Sequence, residues 1–311
     1  MSECCCHHAG RGNHWGAGSP ERFLAPAAPA SSRRYPVAAG LLVILLLWLC
    51  PAPRARAEDA ALAALFAQAG VAGTLAIEAI NSGARYVPHD ARARQAFIAP
   101  STFKVFNALI AVEEGAIAAA DAPLPWDGTW YDFPDWNRDQ TLATAFKVSC
   151  VWCYQELARR VGAGKYPAYL RLAGYGQLQE PFAVSTFWLD GALTISAEQQ
   201  VAFLRQVVQR RLPFRPGTYE TLATIMRADA GPDYRLYAKT GWSTRTTPGI
   251  GWDIGHVGRG GDTWPFALNL DTQSASDLPL RQQLTLDAMR IKGILPPLPA
   301  MASEAPMDTS R

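Results

Sequence analysis

Lysine is scarce in this 311-residue chain. Of 29 basic residues only five are lysines, Lys104, Lys147, Lys165, Lys239 and Lys292, so a lysine inside a motif carries weight. Charge excess is missing too. The formal net charge is +2, whereas nucleic-acid binding calls for a clustered basic face. Histidine is equally sparse: beyond residue 57 only His89 and His256 remain, and no His-Glu-x-x-His occurs, which removes the helix-borne zinc site of a metallohydrolase. No internal repeat is visible, and no apolar run reaches the roughly 20 residues that span a membrane.

What is present begins with a leader. Arg33 and Arg34 precede an apolar run over residues 37–50, which ends before Ala55-Arg56-Ala57. A charged segment, a short apolar core and a small-x-small site make up a secretory signal. Residues 1–57 are therefore expected to be a pre-region and signal peptide, with export to the periplasm, a mature start at Glu58 and no lasting membrane partner. The run Cys4-Cys5-Cys6-His7-His8 lacks the spacing of a closed tetrahedral zinc site, so no metal is expected. The catalytic domain is expected over residues 58–295, followed by a disordered tail over residues 296–311.

The mature chain sorts into three parts. Residues 73–90 alternate apolar and polar side chains around Asn81-Ser82-Gly83, the pattern of a β-hairpin. Residues 101–214 read as mostly helical; Ser196 and Gln199 form a capping box ahead of Val201, Leu204, Val207 and Val208 on one helix face. From Tyr234 to Asp271 come strand-like runs, and a last helix follows. Strands at both ends with helices between imply an α+β fold. We expect a three-layer α/β/α sandwich, its antiparallel sheet built from both chain ends with a helical region inserted.

Lys104 stands out within "PSTFKVFNALIAVEEG", where Phe103, Val105 and Phe106 surround it. Residues i and i+3 share a helix face, so Ser101 in the first turn and Lys104 one turn on point the same way. An apolar pocket lowers a lysine pKa and frees its amine at neutral pH. A free amine can take the proton of a serine hydroxyl and make it a nucleophile. A second lysine lies in Lys239-Thr240-Gly241, at the end of a strand-like run, where glycine lets a ligand approach the backbone. Ser-x-x-Lys followed by Lys-Thr-Gly is the signature of penicillin-recognising serine enzymes.

Between these lies Ser149-Cys150-Val151, at the start of a helix. Its cysteine pairs in sequence with Cys153; a disulfide or redox pair is one reading, and two small buried thiols is the one we expect.

The chain resembles a class D β-lactamase, an oxacillinase. "PSTFKVFNALI", "SCVWCYQELARRVG", "FWLDGALTISAEQQVAFLRQ", "AKTGW" and "LPLRQQLTLDAMRIKGIL" fall in that family's order, over about Leu75 to Leu295. The resemblance implies that Ser101 is acylated by a β-lactam substrate and that Lys104 is the general base, carboxylated by CO2 to N6-carboxylysine. No other cofactor is implied. Trp188 matches the tryptophan that hydrogen-bonds the carbamate. Ser149 matches the residue that relays a proton to the leaving nitrogen, and Val151 completes Ser-x-Val. Lys239, Thr240 and Arg281 match the clamp on the substrate carboxylate, with Gly241 completing the strand motif. The backbone N–H groups of Ser101 and Trp242 match the oxyanion hole. The chain departs from the family at Tyr175-Gly176-Gln177, where the family has Tyr-Gly-Asn, and this puts the hydrogen bonding of that loop in doubt. The same motifs occur in antibiotic-sensing domains and in cell-wall D,D-peptidases; Ser-x-Val and a short mature chain favour the lactamase. No oligomeric state is implied.

Overall fold

The structure, a computed structural model, describes residues 58–298. The expected leader, the Cys4 to His8 run and most of the expected tail lie outside the described residues. Helix α1 (Ala60–Gln68) is capped by the Asp59 carboxylate, which accepts from the Leu62 N–H. Strands β1 (Gly73–Glu78) and β2 (Arg85–Tyr86) form the expected hairpin, with a shorter return strand than the alternation suggests. Then come α2 (Asp90–Arg94), β3 (Phe97–Ile98) and α3 (Lys104–Glu113), followed by β4 (Pro123–Leu124), β5 (Gln140–Thr141), α4 (Leu142–Lys147), α5 (Val151–Val161) and α6 (Tyr166–Ala173). Strands β6 (Gln177–Leu178) and β7 (Leu193–Ile195) lead to α7 (Ala197–Val208) and α8 (Pro216–Met226). The C-terminal part holds β8 (Arg227–Ala230), β9 (Tyr234–Ser243), β10 (Gly249–Arg259), β11 (Asp262–Thr272) and α9 (Leu278–Ile291).

The main sheet runs in the order β2-β1-β11-β10-β9-β8, with every pair antiparallel. Strand β1 enters it beside β11, in register from Gly73 opposite Leu270 to Ile77 opposite Phe266. Both chain ends therefore build one sheet, as expected. Side chains alternate between the two sheet faces. On β10, Trp252 and Ile254 join the core of the helical region, while Val257 packs with Leu62, Phe66, Leu284 and Met289 against α1 and α9. Helices thus cover both faces, giving the three layers.

Two details depart from the sequence reading. The middle region, read as mostly helical, also contains a small sheet β3-β7-β6 and a ribbon β4-β5. And α3 begins at Lys104 rather than one turn earlier, with the Lys104 N–H donating to the Ser101 carbonyl at 3.3 Å, so Ser101 sits in the turn that leads into the helix. The capping box of Ser196 and Gln199 on α7 is present.

Helix α3 is enclosed: Lys104 through Val112 are all buried. A helix apolar on every side belongs in the middle of a core. Phe106 packs on Phe203 at 4.7 Å and Tyr175 at 5.2 Å between ring centroids, while Phe103 meets Phe187 at 5.0 Å and Trp188 at 5.5 Å. Phe106→Ala is expected to destabilise the protein by about 3–5 kcal/mol, read from its urea unfolding midpoint against wild type.

Candidate active site

The turn before α3 is held from two sides. The Trp252 indole N–H of β10 donates to the Ile98 carbonyl at 2.8 Å, and Gln200 of α7 donates to the Thr102 hydroxyl at 3.1 Å. These anchors fix Ser101 where the Lys104 amine donates to its Oγ at 3.1 Å. Lys104 is fully buried, with the Tyr154 ring 5.3 Å from its Nζ. Burial first, and the Lys239 charge second, hold the Lys104 amine well below the usual lysine range. The environment thus favours a neutral amine beside a serine hydroxyl.

Ser149 follows α4 in a left-handed backbone conformation, φ 59°, which few residues with a Cβ adopt. Its Oγ is buried with no hydrogen-bond partner. The Trp188 indole N–H, also fully buried, has none either. Buried donors left open mark a place where a further acceptor belongs. Val151 opens α5.

Strand β9 supplies the opposite wall. A Cβ on Gly241 would lie 3.1 Å from the Thr102 Cγ2 and 3.4 Å from its backbone nitrogen, so the absence of a side chain lets β9 close on the Ser101–Thr102 turn, next to Trp242. The Trp242 indole N–H donates to the Thr272 hydroxyl at 3.1 Å. The Lys239 ammonium donates to the Thr240 carbonyl at 2.8 Å and lies 5.6 Å from the Phe146 ring centroid. Arg281 of α9 donates from Nη1 to the Gly241 carbonyl at 2.7 Å and from Nε to the Leu278 carbonyl at 2.7 Å. Burial, and then the Arg281 charge, lower Lys239 to about 7. Beside Lys239 and Thr240 opens a cavity of about 420 Å³, which Phe146, Lys147, Arg227 and Gln282 also line. A larger one, about 760 Å³ between Val112, Arg215 and Thr224, touches none of these groups and plays no part in the site.

Of the ten residues picked from the sequence, Ser101 and Lys104 meet directly, Trp188 packs on Phe103 between them, and Gly241 closes on the Ser101–Thr102 turn. Lys239 and Arg281 hold successive carbonyls of β9, where Thr240 and Trp242 flank Gly241, while Ser149 and Val151 lie at the lead-in to α5. The structure corrects one expectation: Cys150 and Cys153 are buried, but they are joined as a disulfide rather than left as thiols. Cys150 caps α5 and Cys153 lies one turn on, with Cα atoms 5.5 Å apart, a separation that a disulfide spans. The bridge ties together the two ends of a turn that carries Val151 and directly follows Ser149.

The Penicillin binding protein transpeptidase domain family matches residues 72–290. Among curated proteins, the β-lactamase OXA-48 of Klebsiella pneumoniae is 39% identical over 205 residues, covering 66% of this chain and 77% of that protein. OXA-5 of Pseudomonas aeruginosa is 34% identical over 233 residues, covering 74% and 87%. A solved class D β-lactamase, YbXI from Nostoc, superposes with a TM-score of 0.73 at 37% identity, covering 75% of this chain and 99% of that one. The chain belongs to the class D β-lactamases.

In this class D β-lactamase, Gln177 lies in β6 opposite Thr194 with its side chain exposed, so the segment whose hydrogen bonding the Gln put in doubt pairs as a short strand. Sequence reasoning missed Asp253. It is buried on β10 with Oδ1 unpartnered, and burial raises its carboxyl to about 7 against the opposing pull of the nearby Thr285 hydroxyl and the charges of Arg281 and Lys239. Its signal was an acid inside the apolar run "GIGWDIGHV". For the disulfide, replacing both Cys150 and Cys153 with alanine is expected to cost about 2 kcal/mol of stability, the chain-entropy value for so short a loop, measured by urea unfolding.

Proposed function

We propose that this class D β-lactamase opens the ring of penicillin-type β-lactams through an ester on Ser101, with carboxylated Lys104 as general base, and so protects its cell from the antibiotic. The observation that carries the reading is the Lys104 amine, buried, depressed in pKa and 3.1 Å from the Ser101 hydroxyl.

Only an unprotonated amine adds CO2, in the step R–NH2 + CO2 → R–NH–COO⁻ + H⁺. The open N–H of Trp188 and the open hydroxyl of Ser149 are donors suited to the carbamate oxygens, and the burial of Lys104 supplies the neutral amine. Once formed, that group offers a base with two acceptor oxygens in a pocket where an unpartnered anion would be costly.

The steps then fall to this chain's own side chains. Lys239, Thr240 and Arg281 hold the substrate carboxylate at the β9 edge, the guanidinium offering a planar, two-pronged contact. Ser101 gives up its proton to the Lys104 side chain and attacks the lactam carbonyl; the C–N bond breaks as a C–O bond forms. Ser149 passes a proton to the departing ring nitrogen. The backbone N–H groups of Ser101 and Trp242 stabilise the oxyanion. A water, deprotonated at Lys104, then cleaves the ester and frees Ser101. Residues 1–57 direct export to the periplasm, where the substrate meets the enzyme.

Two outcomes test this. Ser101→Ala should reduce turnover of a chromogenic cephalosporin by about four orders of magnitude or more and leave no covalent adduct by intact mass; an adduct mapped to another residue refutes the nucleophile. Activity should fall in degassed, mildly acidic buffer, where the Lys104 amine protonates and CO2 leaves, and return on adding bicarbonate. Full activity that ignores bicarbonate across the pH range refutes the carbamate.

A further inference from the structure

We propose that Asp253 is a positioning residue of the carboxylate clamp: from the α9 side of the sheet it supplies the negative charge that lets Lys239 and Arg281 act together on one substrate carboxylate. This rests on the reading of Lys239 and Arg281 as that clamp.

The clamp sets two cations on successive carbonyls of one strand, Lys239 on Thr240 and Arg281 on Gly241. Both have lost most of their water, and they repel each other. Such a cluster holds its positive charge only if an anion lies within reach.

Asp253 is placed to be that anion. It lies on β10 directly opposite Thr240, and alternation along β10 turns its side chain away from Trp252 and Ile254, towards α9. Two residues earlier, Gly251 gives Arg281 its seat: a Cβ there would come within 2.9 Å of the Arg281 Cδ. Thr285, one turn beyond Arg281 on α9, stands beside the Asp253 carboxyl, and its hydroxyl donates to the Arg281 carbonyl at 2.9 Å. The threonine thus lies between the carboxyl and the turn of helix that presents the guanidinium. The Asp253 Oδ1 has no hydrogen-bond partner. A buried carboxyl with an open acceptor is unfavourable unless nearby charge compensates it.

The groups facing Asp253 are few. Helix α9 presents Arg281 and Thr285, β9 presents Thr240 and, through the sheet, Lys239, and β11 sets uncharged Leu268 opposite. Among the described residues, Asp253 is the one carboxyl whose charge opposes the depression that burial imposes on both Lys239 and Arg281. As pH rises through neutrality, Asp253 ionises while Lys239 tends to lose its proton, and the new negative charge retains that proton. Removing the carboxyl lets Lys239 discharge at lower pH, so the alkaline limb of kcat/KM should move towards acid.

The test compares wild type, Asp253→Asn and Arg281→Ala from mildly acidic to mildly basic pH, in saturating bicarbonate so that Lys104 is in one state throughout. For a penicillin, Asp253→Asn should move the alkaline limb by about one pH unit. A one-unit fall lowers the charged fraction up to about tenfold on the alkaline side, so KM there should rise by up to that factor while kcat stays within about twofold. The same substrate with its carboxylate esterified should show no such shift. Should Asp253→Asn fail to fold, Asp253→Ser removes the charge with a smaller side chain, and should move the limb in the same direction. A folded Asp253→Asn or Asp253→Ser with unchanged KM and unchanged alkaline limb, beside an Arg281→Ala that raises KM, overturns the proposal alone. An Arg281→Ala with unchanged KM overturns the clamp reading beneath it.

Discussion

A primary amine held where it cannot be solvated is the constraint on which the active site is built. Burying an ammonium without a counter-ion is costly, and the usual escape is to shed the proton. Around Lys104, among the described residues, no carboxylate lies at bonding distance; the fold provides Phe103, Phe106, Tyr154 and a serine hydroxyl. The enclosed α3, the aromatic packing about it and the close approach of β9 all serve to exclude water from that nitrogen. The same packing that stabilises the core therefore sets the chemistry.

The cations beside the cleft follow a different rule. In the proposed reading buried Lys239 and half-buried Arg281 remain cationic to bind an anionic substrate, yet they lie close to Lys104. Distance and sheet geometry separate the tasks. Lys104 faces the helical region with only a like charge nearby, while the β9 edge has backbone carbonyls under each cation and a carboxyl on the far face. Two lysines with the same intrinsic basicity are thus placed to do opposite jobs.

Much of this was legible in the chain. Hydrophobic periodicity, the capping box at Ser196 and strands at both ends led to the layered architecture, and Ser101, Lys104 and Lys239 were found from lysine scarcity and spacing. What escaped was set by three-dimensional placement. Strands of two or three residues, such as β3 and β6, are too short to show alternation. The start of α3 differed because one turn of lead-in backbone has no side-chain signature. Cys150 and Cys153 could be read as thiols or a bridge, because the choice depends on Cα separation and Cβ direction rather than on spacing alone. Asp253 was passed over because an acid in a strand acquires meaning only once register shows what stands opposite it.

The pairing of β1 with β11 carries a consequence for how the enzyme comes into being. A chain made and delivered from its N-terminal end presents β1 and the whole helical insert long before its sheet partner exists. Nearly two hundred residues separate Leu75 from Leu268, its partner in the ladder, and a contact so distant is slow to form because the intervening loop must first be closed. The Ser101 turn and Lys104 belong to the early segment, whereas the wall that completes the cleft arrives with β9. The half-made molecule is therefore chemically silent: it displays an apolar helix in need of shelter, and becomes an enzyme only when the last strands zip into place.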